Sequence, residues 1–313
     1  VTTSTATLLR QAATEAAGGQ LYPAGALYVV ATPIGNLADL TLRAIHVLGL
    51  VDAVTCEDTR HSAGLLRQLG LEGRPLLALH AHNERVASEA VVARLARGER
   101  IACITDAGTP GVSDPGATLV ATVRAAGHRV VPIPGASSAV AALSVAGDET
   151  PGGFRFVGFL PARGSERDRA LTRIAGDRGT TVLFEAPHRI ASLATALAER
   201  CGARRVTLGR ELTKQFETVE TLEARDLPAW LAADANRARG EFVLVLHGVA
   251  DAPEAADADG DMEHDAMLRT LLAAMPLKQA VAVAVELSGA ARNVLYARAL
   301  ALQRPKQDEE SEP

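Results

Sequence analysis

From residue 26 onward, short apolar runs rich in β-branched side chains alternate with stretches in which apolar positions recur every three or four residues. The runs at 26–33, 53–58, 75–80, 100–106 and 129–134 predict strands, and the stretches near 39–48, 60–69, 84–97 and 115–126 predict helices. Strands that are apolar on both faces and separated by helices predict a parallel doubly wound sheet, so residues 25–148 are expected to form a first α/β domain.

A segment rich in Gly, Asp and Pro at 147–153 reads as a hinge. Beyond it the pattern predicts a strand at 155–161, a helix near 165–176, a strand at 180–186, a helix near 188–200, and strands at about 204–211, 217–223 and 241–247. The turn around Gln215 is too short for a crossover, so the strands flanking it must pair antiparallel. A second α/β domain with a mixed sheet is therefore expected over 149–248.

The ends of the chain read differently. Residues 1–24, rich in Ala, Thr and Gly, are expected to be a mobile extension with a short helix. Residues 249–263 have almost nothing to bury and read as a flexible acidic linker. The segment 264–302 predicts three short helices with Ser288-Gly289 as a turn before the last, the pattern of a helix-turn-helix module, and 303–313 is a tail.

Charge changes this picture only when divided by segment. The net charge of −5 argues against an RNA partner, but residues 1–250 carry +1, residues 251–265 carry −7, residues 266–307 carry +5 and residues 308–313 carry −4. Electrostatic attraction to phosphate is local, so the acidity of linker and tail does not exclude nucleic acid. The chain has 29 arginines and only three lysines, Lys214, Lys278 and Lys306, which draws attention to places where a compact ammonium is kept. Cys56, Cys103 and Cys201 lie far apart with no C-x-x-C spacing, so neither a disulfide framework nor a zinc site is expected. There is no apolar run of membrane-spanning length and no basic-then-apolar leader pattern, and the expectation is a cytoplasmic protein with no membrane contact and no metal.

Three loops rich in Gly and Pro follow strands of the first domain: Thr32-Pro-Ile-Gly-Asn36, the run from Asp106 to Gly116, and Pro132-Ile-Pro-Gly-Ala-Ser-Ser138. Ligands of open α/β sheets bind outside the carboxyl ends of the strands, where glycine lets backbone amides come close. Neither a G-x-G-x-x-G fingerprint after the first strand nor a P-loop is present, so phosphate cradling is not the theme. The loops offer backbone groups, small hydroxyls and a carboxylate, which suit a ligand with an adenosine and an amino-acid end without diagnosing one.

The run Tyr28-Val-Val-Ala-Thr-Pro-Ile-Gly-Asn36 resembles the ribosomal RNA small subunit methyltransferase I family of the tetrapyrrole-methylase superfamily. So do Cys56-Glu-Asp-Thr-Arg60, Asp106-Ala-Gly-Thr-Pro110 with Ser113-Asp-Pro-Gly116, Gly158-Phe-Leu-Pro161, Phe184-Glu-Ala-Pro-His-Arg189, Arg210-Glu-Leu-Thr-Lys214 and 240–248. The likeness runs in order over about 26–248, and the C-terminal helices are similar to that family's terminal module. It implies a tetrapyrrole-methylase-like fold and methyl transfer from S-adenosylmethionine to the ribose 2′-hydroxyl of a cytidine in the decoding region of 16S rRNA. It also implies the small ribosomal subunit as partner and a homodimer. The cofactor contacts it implies are Pro33, Asp106, Ala107, Gly108, Thr109, Val112, Ser113, Ser137 and Ser138, with Glu185 and Leu212 from the second domain.

A ribose hydroxyl is a poor nucleophile, so a base that takes its proton or a cation that steadies the developing oxyanion should assist alignment. Lys214, with Glu211 or Glu185 as partner, is the expected source. RNA positioning is expected from Arg60, Arg189, Arg210 and Lys214, with Lys278 and Arg292 in the C-terminal module, and phosphate contacts of this kind set register. Asn36, Glu57 and His188 are further candidates, and Phe159, Phe184 and Phe216 are the best-placed stacking surfaces. Two alternatives remain open at this level: a tetrapyrrole or other small-molecule methylase of the same fold, and a ligand-sensing DNA-binding regulator whose last helix carries Arg292, Asn293 and Arg298.

Overall fold

A computed structural model describes residues 4–80, 83–150, 152–249 and 256–303. The chain divides into two compact units, Val1–Val249 and Ala250–Pro313.

The first unit opens with α1 (Thr5–Ala17), followed by β1 (Ala26–Val30), α2 (Leu42–Leu50), β2 (Ala53–Cys56), α3 (Thr59–Gln68), β3 (Leu76–Ala78) and α4 (Glu84–Ala96). Next come β4 (Ile101–Cys103), α5 (Ala117–Ala125), β5 (Arg129–Ile133) and α6 (Ser138–Ala146). The five strands form one sheet in the order β3-β2-β4-β1-β5, every neighbouring pair parallel. Its centre is apolar on both faces because both are covered. Leu48, Leu66 and Tyr28 belong to a core on the side of α2 and α3, while Leu27, Val91, Leu95 and Leu119 belong to one on the side of α4 and α5.

The second half runs through β6 (Phe154–Phe159), α7 (Ser165–Gly176), β7 (Thr180–Glu185), α8 (Ile190–Cys201), β8 (Arg205–Arg210), β9 (Thr218–Glu223), α9 (Leu227–Ala232) and β10 (Phe242–Leu246). Its sheet order is β6-β7-β10-β8-β9. β6 and β7 are parallel, and β10 runs antiparallel between β7 and β8. The pairing of β8 with β9 is antiparallel, as the short turn at Gln215 requires.

One face of this sheet packs Leu183, Leu208 and Leu244 against Leu171, Leu193 and Leu197 of the following helices. The other face receives α6 from the first half: Ala139, Ala142 and Ala146 meet Val182, Val243 and Val245, together with Ile34 and Leu212. Small alanines let α6 approach closely, and each large side chain fully buried contributes about 1.5–3 kcal/mol. α6 was not among the helices read from the pattern, because its apolar positions nearly surround it.

Two expectations about the ends need correction. Residues 1–24 are not simply an extension, because α1 packs on α2. Leu9, Ala13 and Ala17, spaced by four, turn one stripe inward; Ala13 and Ala17 are buried, and Ser4 caps the helix by accepting from Thr7 N. The stretch assigned to an acidic linker is partly helical, since α10 (Ala256–Ala274) begins at residue 256. Residues 250–255, and the tail from 304 on, lie outside the described residues.

In the second unit, α10, α11 (Leu277–Ser288) and α12 (Arg292–Gln303) bury Leu268, Val281, Ala284, Leu295 and Ala299 among themselves. Gly289 ends α11 in the left-handed conformation, with φ 67°. Among the described residues no helix is long and apolar enough to cross a membrane.

Candidate functional site

The three loops of the first sheet are tied to one another. Thr32 and Gly108 exchange backbone hydrogen bonds of 2.9 and 3.2 Å, and the Thr32 hydroxyl donates to Thr105 O at 3.0 Å. Thr109 Oγ1 donates to Ala136 O at 3.1 Å. The loops after β1, β4 and β5 thus form one rigid rim. Gly108, at φ 82°, has a backbone that strains any side chain, and a Cβ there would crowd Ile34 Cγ2 at 3.3 Å.

The second sheet turns a matching edge toward this rim. Because β10 is antiparallel, its beginning lies beside the ends of β7 and β8, with Phe242 opposite both Glu185 and Arg210. A shift in register between Phe156 and Gly158 re-aims the end of β6, and at Gly158 a Cβ would fall 2.8 Å from Ser113 Oγ. Ser113, Glu211 and Thr213 all have positive φ, of 68°, 50° and 67°. Left-handed backbone at non-glycine residues is costly and concentrates where structure serves a site.

Rim and edge enclose a cavity of about 400 Å³. Ala107, Gly108, Thr109, Val112, Ser113, Ser137 and Ser138 line it from the first half, and Glu185 and Leu212 from the second. Pro33 and Asp106, expected with them, line an adjoining groove instead, together with Leu37, Arg60, His61, Gly64, Leu65, Gln68 and Lys214. Cavity and groove share Ile34, Ala107 and Glu241. That border is where a group held in one would meet a group held in the other.

Sequence reasoning missed Ile34, Asp114, Ala186, Pro187, Glu241, Phe242 and Val243 in the cavity wall. The last three follow from the antiparallel sense of β10, a signal present in the short turn and the strand count. Partial burial raises the Asp114 pKa; the nearby Thr105 hydroxyl opposes this and the Asp106 carboxylate adds to it. Phe184 and Phe159 line the cavity with rings 5.5 Å apart, Phe184 half-buried in its wall and Phe159 exposed at its mouth; Phe216 is exposed and lines neither cavity nor groove.

Lys214 stands at the border. Its Nζ donates to Glu211 Oε1 and Glu241 Oε2, both at 2.9 Å. Burial works against its charge, but the bonds to Glu241 and Glu211 outweigh it and hold the ammonium above the ordinary lysine range. Glu211 is itself partly buried, yet the hydrogen bonds from Glu241 N and Lys214 keep its pKa low. Both groups are therefore charged at neutral pH, and Lys214 offers a cation rather than a base.

Glu185 is not the partner of Lys214. Its side chain is fully buried, with Oε1 3.0 Å from Arg189 Nε and Oε2 3.5 Å from Arg167. The Arg189 guanidinium also donates to Leu160 O and Pro161 O, so it clamps the end of β6. Arg210 is likewise spent on Arg239 O and Phe216 O. These two arginines, expected to contact RNA, hold the protein's own loops, because backbone carbonyls at strand ends need donors.

Arg60 differs: its side chain is 92% exposed and reaches only Asp58, at 3.5 Å. Asn36 caps the turn after β1 by accepting from Ala38 N, and His188 lies exposed on the turn after β7. Glu57 is exposed near Asp106, and residual burial with the Asp106 and Asp114 carboxylates raises its pKa. Lys278 and Arg292 are exposed on α11 and α12 within the second unit. Arg298 is half-buried there and donates to Asp265 at 2.5 Å.

The family model described as Tetrapyrrole (Corrin/Porphyrin) Methylases matches residues 26–228. The chain is 46% identical over 281 residues, 90% of its length, to ribosomal RNA small subunit methyltransferase I of Pseudomonas aeruginosa, of which 98% is covered. This chain belongs to the ribosomal RNA small subunit methyltransferase I family of tetrapyrrole methylases. The family's member from Xylella fastidiosa is also 46% identical, over 87% of this chain and 98% of that protein. A second model, the RsmI C-terminal HTH domain, matches residues 257–303. Among solved structures, uroporphyrin-III C-methyl transferase from Thermus thermophilus complexed with S-adenyl homocysteine superimposes with a TM-score of 0.51 at 18% identity. It covers 71% of this chain and 96% of that one, and shows the shared fold. Membership of a methyltransferase family leaves the DNA-binding regulator without support.

Proposed function

We propose that this protein transfers the methyl group of S-adenosylmethionine to the ribose 2′-hydroxyl of a cytidine in the decoding region of 16S rRNA, within the small ribosomal subunit. One observation carries the reading: an enclosed cavity and an open groove meet at Ile34, Ala107 and Glu241, with the Lys214 ammonium beside the junction. The names of the family's members support the RNA substrate.

The cavity fits the donor by its chemistry. Its size lies within the usual range for small-molecule sites, and its wall combines apolar surface with a few placed polar groups. Backbone of Ala107–Thr109 and the hydroxyls of Ser113, Ser137 and Ser138 suit the polar ends of such a molecule, and Phe184, Leu212 and Val243 suit its flat adenine. When bound, S-adenosylmethionine supplies an electrophilic methyl on a cationic sulfonium.

The protein's part is alignment and charge. The tied loops hold their shape without reorganising, which is the condition for in-line attack by a weak nucleophile. In this reading the ribose proton passes to solvent, the sulfonium becomes a neutral thioether as its methyl is taken, and the Lys214 ammonium, fixed by two carboxylates, steadies the ribose oxygen as it gains negative charge. A homodimer working in the cytoplasm belongs to the same reading.

The test is transfer of tritiated methyl from S-adenosylmethionine to small ribosomal subunits, free 16S rRNA and a panel of tetrapyrroles. Label in RNA is expected; label on pigment alone would overturn the substrate.

A further inference from the structure

Gly64 occupies an interior position of α3, where glycine is among the least stable choices. The fold does not require it there: a Cβ built at residue 64 meets nothing within 4 Å. Elsewhere in the site, glycines answer to left-handed backbone and close neighbours, as at Gly108 and Gly158, with φ 82° and 69°. Among the described residues, a side chain at Gly64 would extend into open space beside the groove that Gly64 itself lines.

The rest of α3 has the same orientation. Ser62 and Leu66 are buried in the core, while His61, Gly64, Leu65 and Gln68, one helical face by their spacing, line the groove. The apolar part of the groove comes from Pro33, Leu37 and Leu65; Gln68 brings an amide that both donates and accepts. Arg60 brings a guanidinium that is almost wholly exposed.

From this we infer that the α3 groove seats one unstacked nucleotide of single-stranded RNA. Its base lies over Gly64 between Leu37 and Leu65, its edge is read by Gln68 and His61, and its phosphate meets Arg60. The inference rests on the RNA reading given above and adds where and how the nucleotide is held. Sequence-specific RNA recognition favours bases splayed out of the stack, with their edges open to hydrogen bonding. A base seated here directs its own sugar to the border at Ile34, Ala107 and Glu241, where the ribose hydroxyl must arrive. A tetrapyrrole suits the groove less well, because its acidic side chains would face Asp106 and Glu241.

The experiment compares wild type with Gly64→Leu and Gln68→Leu, using the full chain and whichever RNA substrate, small subunits or free 16S rRNA, the wild type methylates. Melting temperature and S-adenosylmethionine affinity by calorimetry are measured alongside. Gly64→Leu should melt no lower than wild type and bind S-adenosylmethionine equally, yet lose at least tenfold in kcat/KM for RNA. Gln68→Leu, at the exposed end of the helix, should lose about tenfold, mainly through KM. If both variants methylate RNA with wild-type kcat/KM, the seat is wrong while the RNA reading stands. Should the wild type methylate only a tetrapyrrole, both fall together.

Discussion

Lys214 lies against Gly35: a Cβ at residue 35 would come within 2.4 Å of Lys214 Cγ and 2.9 Å of its Cε. The loop after β1 thus leaves a bare backbone on which the lysine stem rests, and the ammonium passes over it to Glu211 and Glu241. Side chain and loop belong to different sheets, so the placement of the cation depends on how the two halves meet.

Gly35→Ala should therefore displace Lys214, at some cost in stability because φ 155° at residue 35 strains any side chain. Methyl transfer is expected to fall about tenfold or more in kcat while the protein stays folded, with a lowered melting temperature. Single-turnover rates measured with a thermal melt check this. A wild-type rate would show that the contact is incidental.

Lys214→Met should cost roughly 10²–10³ in kcat, the usual loss when one donor to a developing oxyanion is removed. S-adenosylmethionine affinity should be kept, since Lys214 does not line the cavity. Unchanged turnover with intact cofactor binding would reject the role.

Arg189→Ala should act on stability and not on RNA affinity. It leaves the buried Glu185 with Arg167 as its remaining cation, and it removes the donor to Leu160 O and one of the two donors to Pro161 O, the other being Arg167. Losing one partner of a buried ion pair costs about 3 kcal/mol, which denaturant titration will resolve. An RNA affinity that falls while stability holds would restore Arg189 as a phosphate contact.

Acid should loosen the junction between the two halves through Asp148. Burial disfavours its charge, but Thr180 Oγ1, Thr150 N and Gly248 N donate to it and bring its pKa down to about 2. A carboxyl held below its unfolded value stabilises the fold above the ordinary aspartate range, and that stability fades as pH falls toward 2. After allowance for solvent this is about 1–2 kcal/mol. Asp148→Asn should be less stable than wild type at pH 7, with the difference shrinking between pH 4 and pH 2 in urea titrations.

Much of this architecture was legible because the periodicities are clean. Parallel strands such as β1 are apolar on both faces, and the turn at Gln215 dictates an antiparallel pair. The glycine-rich loops marked the cavity for the same reason, since backbone must come close there. The ion pairs were not legible. Whether Glu185 serves Lys214 or Arg189 depends on side-chain direction at the ends of β7 and β8, and Glu241 enters the site only once β10 is known to lie between those strands. Charge alone also leaves roles open: Arg189 and Arg210, both half-buried, donate to backbone carbonyls of their own chain, a use that basic character does not reveal. The short helix expected in residues 1–24 is α1, but its docking on α2 escaped notice because its buried stripe ends in two alanines, which carry little hydrophobic signal.

The central claim is that a sulfonium methyl in the cavity meets a ribose oxygen in the groove. Small subunits or 16S rRNA methylated by this protein can be digested to nucleosides and the modified one identified by mass spectrometry. Methyl on the ribose of a cytidine is the predicted result; methyl on a base, or no modified nucleoside alongside a methylated tetrapyrrole, would contradict it.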